Sequence, residues 1–558
     1  MALTVGIDLG TTNSVIGYND GGTVRLIHNR RGQILTPSIV GVDGRGAIIV
    51  GEAARNLGGD AGSRAVRHVK RRMGERSTLP LGDRFLSPEE ISGCILAALR
   101  EDAREFLGGA GPEYAVITVP AHFDDRQRTA TVEAGLLAGF REVRLLNEPT
   151  AAALPYAARD IKRERMVVFD FGGGTLDVTC LERDRSDFSV AATAGDGTLG
   201  GADIDEILFD RIAREVESQV GRDVSGDPAF RQVLRALAET AKIELSELES
   251  TTLAVPFLAA DSGAVHVSFE LNREELESAV TPIVDRAMAL ASAAVADAGY
   301  DRTGFDTLIL AGGSSRIPVI RRRLNELFPV ALASMINPEE VVATGATLLA
   351  ASRTNGAFSL HDVVSGTLAL ELADGTCVPI IHRNQTVPAK RTRYFTTISD
   401  DQEEAEIHLL QGDRPGADQN RSLGRFLLKG LKQAARGEPR IEVTVQVNGE
   451  GVVTVSAGDQ QSGVTGEMIA RARPVDLRQP LRGDPRAYLA SLMRRGRTLG
   501  DHASAGLASE LRQLITLAEE LSGDGDGNLD DTITVLETLI LEVAGRAAIR
   551  STTSGGSR

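Results

Sequence analysis

The 558-residue chain predicts a multidomain protein: a two-lobed α/β part to about residue 355, an all-β part from about 367 and a short α-helical segment from about 484. Three observations carry this. Up to residue 355, short Val/Ile-rich runs alternate with longer helix-like stretches, as in "YAVITVPAHF", "FRQVLRALAETAKIELSELE" and "FDTLILAGGSSRIP", which is α/β material. A weak repeat runs through the same part. "VGIDLG" leads to "SVIGY" and "TVRLI" much as "VVFDFG" leads to "LDVTCL" and "FSVAATA", so two lobes of like construction are expected. Farther on the apolar period changes to two, the period of a half-buried strand.

Composition bounds the function. An apolar share of 42% supports packed domains, and the length exceeds what one core accommodates. With 61 basic against 77 acidic residues, the formal charge of −16 argues against nucleic acid as a general partner, since phosphate binding needs a surplus of Lys and Arg. No apolar run approaches the roughly 20 residues that span a bilayer, and no basic segment precedes the first apolar run. A cytoplasmic protein without membrane contact is expected. Cys94, Cys180 and Cys377 stand far apart and outside any CxxC pair, so they read as small core residues rather than disulfides or zinc ligands.

The elements follow in order. A linker is expected at 356–366, where Gly, Ser, Asn and Thr gather after the Ala-rich "VVATGATLLAAS" helix. In the β part, 367–478, "RIEVTVQV" puts Ile441, Val443, Val445 and Val447 on one side. An Asn-Gly turn then joins it to "GEGVVTVSA" as a hairpin. Helical spacing returns in "LASELRQLITLAEEL" and "DTITVLETLILEVAGRAA" within 484–550, before a polar tail at 551–558 expected to be disordered.

The chemistry lies at the ends of two apolar strands. "TVGIDLGTTN" and "MVVFDFGGGTLD" each finish a buried run with an aspartate beside Gly and Thr. Glycine backbone admits close approach and offers free N–H donors to phosphate, threonine hydroxyls add donors, and a carboxylate supplies hard oxygen for Mg²⁺. Two such loops facing each other would grip one triphosphate, with Asp8 and Asp170 on the metal side, largely through water, and Thr11, Thr12, Gly173, Gly174 and Thr175 on the phosphates. Each loop alone also reads as a tight turn capped by its Asp. A third loop, "LILAGGSSRIP", again follows a strand, and Glu239, Lys242 and Ser246 share one helical face from which a nucleoside could be approached, although such pairs are usually solvated.

Other signals are weaker. "GDGTLG" at 195–200 fits a dinucleotide fingerprint, but no P-loop and no HExxH occurs. "DGDGNLDD" fails as a calcium loop, because Leu529 replaces the required glycine and Val535 the bidentate Glu.

The ordered series "GIDLGTTNS", "VITVPAHFDDRQR", "RLLNEPTAAAL", "FDFGGGTLDV", "AGDGTLGGADID", "AKIELS", "AGGSSRIP", "INPEE", "IHLLQGDR", "RSLGRFLLKG" and "RIEVTV" resembles the seventy-kilodalton heat-shock chaperones of DnaK type. The resemblance implies an actin-like (ribonuclease-H-like) two-lobed ATPase domain at 1–355, a β-sandwich that binds peptides and a short α-helical lid. It also implies ATP/ADP with Mg²⁺ and K⁺ as cofactors. Lys70 matches the lysine that orients the attacking water, and Glu148, Asp8, Asp170, Asp177 and Thr175 match the remaining catalytic, ion and γ-phosphate positions. Gly10, Asn13, Gly172, Gly200, Gly201, Glu239, Lys242, Ser246, Gly312, Gly313, Ser314, Arg316 and Glu339 complete the nucleotide-binding set. Pro120 and Arg128 match an interlobe relay, and Leu370, Ala373, Phe395, Ile398, Ala405 and Ile407 match the peptide cleft. The implied partners are unfolded polypeptides, a J-domain co-chaperone and a nucleotide exchange factor.

Two departures bear on mechanism. In the linker "FSLHDV", Ser359 and His361 occupy apolar family positions, so weaker docking is expected. In the cleft, Ala373 and Ile398 exchange the usual large and small residues. A metabolite kinase of the same fold also fits two phosphate loops but needs no appended sandwich, and a non-hydrolysing scaffold fits poorly with Lys70, Glu148, Asp177 and Thr175 all present.

Overall fold

The computed structural model describes residues 3–553 except 58–63, 110, 159–160, 222, 224–227, 261–262, 334–335, 355, 450, 452, 470–480 and 524–528. The Asp/Gly-rich turn at 524–528 and tail residues 554–558 therefore lie outside the described residues.

The sequence repeat becomes two six-stranded sheets of matching connectivity. In the first lobe, β1 (Thr4–Leu9), β2 (Asn13–Asp20) and β3 (Thr23–Leu26) form an antiparallel meander, joined at β2 by a short Thr36–Pro37 strand. Parallel strands β4 (Tyr114–Val119) and β5 (Glu142–Asn147) extend it beyond β1, in the order β5-β4-β1-β2-β3. In the second lobe, β6 (Arg163–Phe171), β7 (Leu176–Asp184) and β8 (Asp187–Asp196) repeat the meander, and β9 (Thr307–Ala311) and β10 (Ala331–Ala333) repeat the parallel pair. The linker adds β11 (Ser359–His361), parallel to β8. Both first strands are fully sequestered at their centres, as their unbroken apolar runs require.

Helices cover these sheets. Ser87 and Glu90 cap α1 (Pro88–Leu107) reciprocally with Pro88 in the first turn, and Asp124 with Gln127 does the same for α2 (Asp125–Leu137). Both turn apolar faces into the first-lobe core, including Ile91, Ile95, Val132 and Leu136. In the second lobe, α3 (Gly201–Val220) packs on α4 (Pro228–Glu247) through a core containing Leu208, Ile212, Leu234 and Ala241. Helix α5 (Val341–Ala351) presses on β1, where a Cβ on Gly6 would stand 2.0 Å from the Thr347 nitrogen, so only glycine permits the approach.

Two four-stranded sheets follow. One orders β13 (Cys377–Ile381), β12 (Leu368–Glu371), β15 (Glu404–Gln411) and β16 (Arg421–Lys429); the other orders β14 (Ala389–Phe395), β17 (Ile441–Val447), β18 (Val453–Asp459) and β19 (Thr465–Ile469). The β17–β18 hairpin runs from Ile441 opposite Asp459 to Val447 opposite Val453, and Ile441, Val443, Val445 and Val447 are all buried between the sheets.

The C-terminal helices α6 (Pro485–Leu499) and α8 (Leu529–Thr553) seat on the first lobe, and α7 (Ala505–Gly523) packs on these two. Tyr488, Leu489 and Leu492 of α6 and Ile533, Leu536, Ile540 and Val543 of α8 join the same core as α1 and α2. At about 1.5–3 kcal/mol per fully buried aliphatic side chain, this seam outweighs its polar contacts. Arg495 donates to both Glu133 oxygens, at 2.7 Å for Nη2, and Arg494 donates to Glu90 at 2.7 Å. Helix α8 runs to Thr553, three residues into the stretch expected to be a disordered tail. Among the described residues, no single helix is long and apolar enough to cross a membrane.

Candidate functional site

The two Gly/Thr loops meet. A Cβ on Gly173 would lie 1.9 Å from Thr12 Oγ1, and one on Gly174 would lie 2.4 Å from Thr11 Cγ2, so the β6–β7 turn is pressed against the β1–β2 turn. Beside them opens an interlobe cavity of about 850 Å³. Asp8, Gly10, Thr11, Thr12, Asn13, Lys70, Glu148, Asp170, Gly172, Gly173, Thr175, Glu239, Lys242, Ser246, Gly312, Gly313, Ser314, Arg316 and Glu339 all line it. Gly174, Asp177, Gly200, Gly201, Pro120 and Arg128 do not line it, and Arg128 borders a separate cavity beside the linker. Gly200 and Gly201 abut it closely: a Cβ on Gly200 would meet the Gly174 nitrogen at 2.5 Å, and one on Gly201 would meet Ser314 Oγ at 2.4 Å.

The polar end holds four carboxylates and one lysine. A 3-10 turn, Val69–Arg72, carries Lys70, whose ammonium pairs with Glu148 at the start of the Glu148–Ala153 helix. Burial opposes charge on Lys70, but Glu148, Asp8 and Asp170 overcome it and raise its pKa. Burial likewise pushes Glu148 up to about 7, against the pull of Lys70. Asp170 is raised by burial and then by the charges of Glu148, Asp8 and Asp177; Asp8 is raised by burial, with Lys70 and a 3.1 Å bond from Thr118 Oγ1 opposing. Asp177 is 1% exposed, and its Oδ2 is buried with no hydrogen-bond partner. Carboxylates crowded this way away from water favour a bound cation. Among the described residues, no group of three or more His, Cys, Asp or Glu is arranged to hold a metal ion directly.

The opposite end suits a nucleoside. Lys242 pairs with Asp205 at 2.7 Å and donates to the Gly201 carbonyl at 3.2 Å, while Ser314 Oγ donates to the Gly172 carbonyl at 2.9 Å. Arg316 reaches Glu339 at 3.2 Å. Gly312 has φ 75° and packs 2.4 Å, measured from a Cβ position, against the Phe171 carbonyl oxygen.

Motif reading misses three neighbours. Arg71 Nε donates to the Gly174 carbonyl at 2.8 Å and its Nη2 pairs with Asp203 at 2.6 Å, tying the lobes together. Arg55 does so at the other end through Glu239, at 3.1 Å. His122 Nδ1 lies 2.9 Å from Asp177 Oδ1. Within a run of four cationic side chains, spacing does not separate Arg71 from its neighbours, and His122 carried only its nearness to Pro120.

Arg128 leads out of the site. It donates to the Phe123 carbonyl at 3.0 Å and to Asn147 Oδ1 at 2.7 Å, and Asn147 in turn bonds Asp362 of the linker. Pro120 is buried at the end of β4, and its carbonyl accepts from the Phe123 nitrogen at 3.1 Å. The placement of the linker bears on the expectation of weaker docking. Ser359 is exposed and His361 half-buried, so the two polar replacements face outward, whereas Phe358 and Leu360 pack on the lobe, with Phe358 edge-on to Phe188 at 6.4 Å.

In the sandwich, Leu370 and Ile407 are buried between the sheets, Phe395 and Ala405 pack at their margin, and Ala373 and Ile398 are exposed, Ile398 by 69%.

Comparisons with known proteins agree with this arrangement. The family model described as Hsp70 protein matches residues 4–81 and 79–478. The chain is 42% identical over 478 residues to the chaperone protein DnaK of Thermosipho melanesiensis, covering 84% of this chain and 80% of that protein. It is 41% identical over 479 residues to the chaperone protein DnaK of Thermotoga petrophila, with the same coverage. Two facing Gly/Thr loops, an appended sandwich and this extended similarity converge on one conclusion: the chain belongs to the Hsp70 family.

Proposed function

We propose that this ATP-dependent chaperone hydrolyses ATP in the interlobe cavity with Lys70, Glu148, Asp177, Thr175, Asp8 and Asp170 as the residues that act on the γ-phosphoryl group and its attacking water. The protein is an ATPase of the Hsp70 family that binds unfolded polypeptides. One observation supports the residue assignment above all: both Gly/Thr loops, Lys70, Asp8, Glu148 and Asp170 border one cavity, with Asp177 behind its wall. Phosphoryl transfer needs position and charge stabilisation more than covalent help, and these residues supply both. Lys70 would orient the water, Glu148 would hold it, and the loop backbones would fix the phosphates.

Mg²⁺ and K⁺ belong to the reading. The donor set fits Mg²⁺ held largely through water, because Asp8 and Asp170 are crowded carboxylates outside any direct three-ligand cluster, and Mg²⁺ keeps several waters. When bound, the ion would neutralise phosphate charge. The orphaned oxygen of Asp177 suits K⁺ or a bound water. Glu239, Lys242, Ser246, Gly313, Ser314, Arg316 and Glu339 would take the adenosine.

Further parts of the proposal are an actin-like fold for 1–355, a linker at 356–366, a peptide-binding sandwich at 367–478 with Ala373 and Ile398 at the cleft mouth, and a helical unit at 484–550. A J-domain co-chaperone, an exchange factor and a cytoplasmic location complete it. Extended apolar segments would add main-chain hydrogen bonds to an apolar pocket. The test is the ATPase rate with and without an apolar peptide. Stimulation supports coupled domains, and a flat response refutes the coupling.

A further inference from the structure

The sandwich carries an unpaired cationic edge beside its cleft residues. Strand β14 ends its sheet: it pairs with β17 from Ala389 opposite Val447 to Phe395 opposite Ile441, and no described strand pairs with its other side. Lys390, Arg391 and Arg393 of this strand are exposed, as is Arg440 just ahead of β17. Residues 375–399 contain no Asp or Glu, although the chain has 77 of them. Among the described residues, none of the four cations pairs with a carboxylate. Arg391 Nη1 donates to the Lys390 carbonyl at 3.0 Å, and the Arg440 guanidinium lies 4.1 Å from the centre of the Tyr394 ring. The other sheet treats its cations differently: Arg425 meets Glu406 at 2.8 Å and Lys429 meets Glu404 at 3.2 Å between β15 and β16. On β17 the carboxylate opposite Tyr394 is Glu442, which accepts from Gln460 at 2.8 Å.

Strand geometry aims this strip. Side chains alternate, so Arg391, Arg393 and Phe395 share one face, opposite Val445, Val443 and Ile441, whereas Lys390 and Tyr394 share the other. Phe395 packs at the margin of the core and the exposed Ile398 follows it, so the strip begins where the apolar cleft residues stand. At about 3.3 Å per residue, Arg393 lies about 7 Å and Arg391 about 13 Å along the strand from Phe395. A free edge leaves alternate backbone N–H and C=O groups without a sheet partner, and an extended chain laid along it meets both rows of side chains. On β14 both rows are cationic. Like charges repel a second copy of the same edge, which leaves an acidic chain as the complementary occupant. Nucleic acid and anionic lipid surfaces call for a broader basic field than four cations on a chain of formal charge −16.

We propose that Lys390, Arg391, Arg393 and Arg440 form a docking strip for acidic stretches of a client polypeptide, so that this chaperone favours apolar segments flanked by Asp or Glu. This rests on the reading of the sandwich as the peptide-binding unit. Arginine forks match carboxylates with two parallel hydrogen bonds, and charges at the rim of an interface choose partners more than they add affinity. The preference is therefore modest and falls with salt.

The test is fluorescence anisotropy on the full chain with three labelled peptides that share one apolar core: acidic on the amino-side flank, acidic on the carboxyl-side flank, or Ser on both. The expected result is binding about five- to tenfold tighter for one acid-flanked peptide than for the Ser-flanked one, the scale of a few partly exposed ion pairs. That preference shrinks between about 0.05 M and about 0.3 M salt. With Arg391→Gln and Arg393→Gln together, the two peptides bind within about twofold of each other, whereas Arg391→Lys with Arg393→Lys keeps most of the difference. Equal affinity for acid-flanked and Ser-flanked peptides in the unaltered chain, or a preference that the Gln variant retains, overturns the proposal. So does binding of an oligonucleotide, or of vesicles containing phosphatidylserine, that the Gln variant loses while neither acid-flanked peptide is preferred; the cations would then serve phosphate. Failure of all three peptides to bind would instead overturn the reading of the sandwich on which the strip rests.

Discussion

Lys70 and Glu148 form an ion pair in which both side chains are under a tenth exposed, at 5% and 7%. Burial opposes the charge on this lysine and three surrounding carboxylates favour it, while burial pushes Glu148 up to about 7 and the Lys70 charge pulls against that rise. Each residue fixes the other's protonation, so the pair acts as one unit. Lys70→Ala is expected to reduce hydrolysis by ~100-fold or more, the scale for losing one preorganised charge stabiliser, and to leave nucleotide binding within a few fold. Single-turnover rates with parallel nucleotide titration check this, and equal turnover in both proteins refutes the role.

The contact between the two Gly/Thr loops predicts a second phenotype. Gly174→Ala would place a methyl group 2.4 Å from Thr11 Cγ2, and Gly173→Ala would place one 1.9 Å from Thr12 Oγ1. Neither neighbour can give way without moving the opposing turn. Both variants are expected to weaken ATP binding by about tenfold or more while leaving the melting of the sandwich unchanged, since closed-packed interiors do not absorb an extra methyl. Equilibrium binding of a fluorescent nucleotide measures the loss, and wild-type affinity in both would show that the loops part more easily than their packing implies.

Much of this was legible in the chain. The repeat around Asp8 and Asp170 foretold two sheets of one connectivity, because burial on both faces leaves an apolar run and the Gly turns punctuate it. The period-two alternation of Ile441 to Val447 likewise marked one wall of the sandwich. What the sequence did not carry was long-range pairing. Arg71 to Asp203, Arg55 to Glu239 and His122 to Asp177 are tertiary meetings of ordinary surface residue types, with no periodicity to announce them. In the linker a strand alternates its faces, so Ser359 and His361 stand on the more exposed side while Phe358 and Leu360 keep the lobe side. The seat of α6 and α8 on the first lobe also had no local signature, since an amphipathic helix does not name the surface it covers.

That alternation makes a third prediction. Leu360→Ala removes a side chain from the packed face of β11 and is expected to weaken linker docking by roughly 2 kcal/mol, toward the low end for a partly buried leucine. His361→Leu, on the outward face, should change docking by less than about 0.5 kcal/mol, as surface substitutions usually do. Peptide stimulation of the ATPase reads the difference: lost in the first variant, retained in the second. A larger loss from His361→Leu would mean that its 3.2 Å contact with Asp187 holds the linker instead.

The last prediction concerns His122. Burial disfavours its imidazolium, but the charge and hydrogen bond of Asp177 prevail and hold it above its ordinary value of 6.5. A group whose proton is held more tightly in the folded state stabilises that state fully below its unfolded value, and the contribution is lost as pH rises through the raised value. The nucleotide-free protein should therefore lose stability with rising pH in a window that starts near 6.5 and extends above it. His122→Gln keeps a donor for Asp177 but cannot titrate, so its stability should be flatter across that window. Denaturant unfolding of both proteins between about pH 6 and pH 8 decides the matter. If the two curves run parallel, the imidazole is not the titrating group, and the buried Asp177 oxygen takes its charge balance from elsewhere in the cavity.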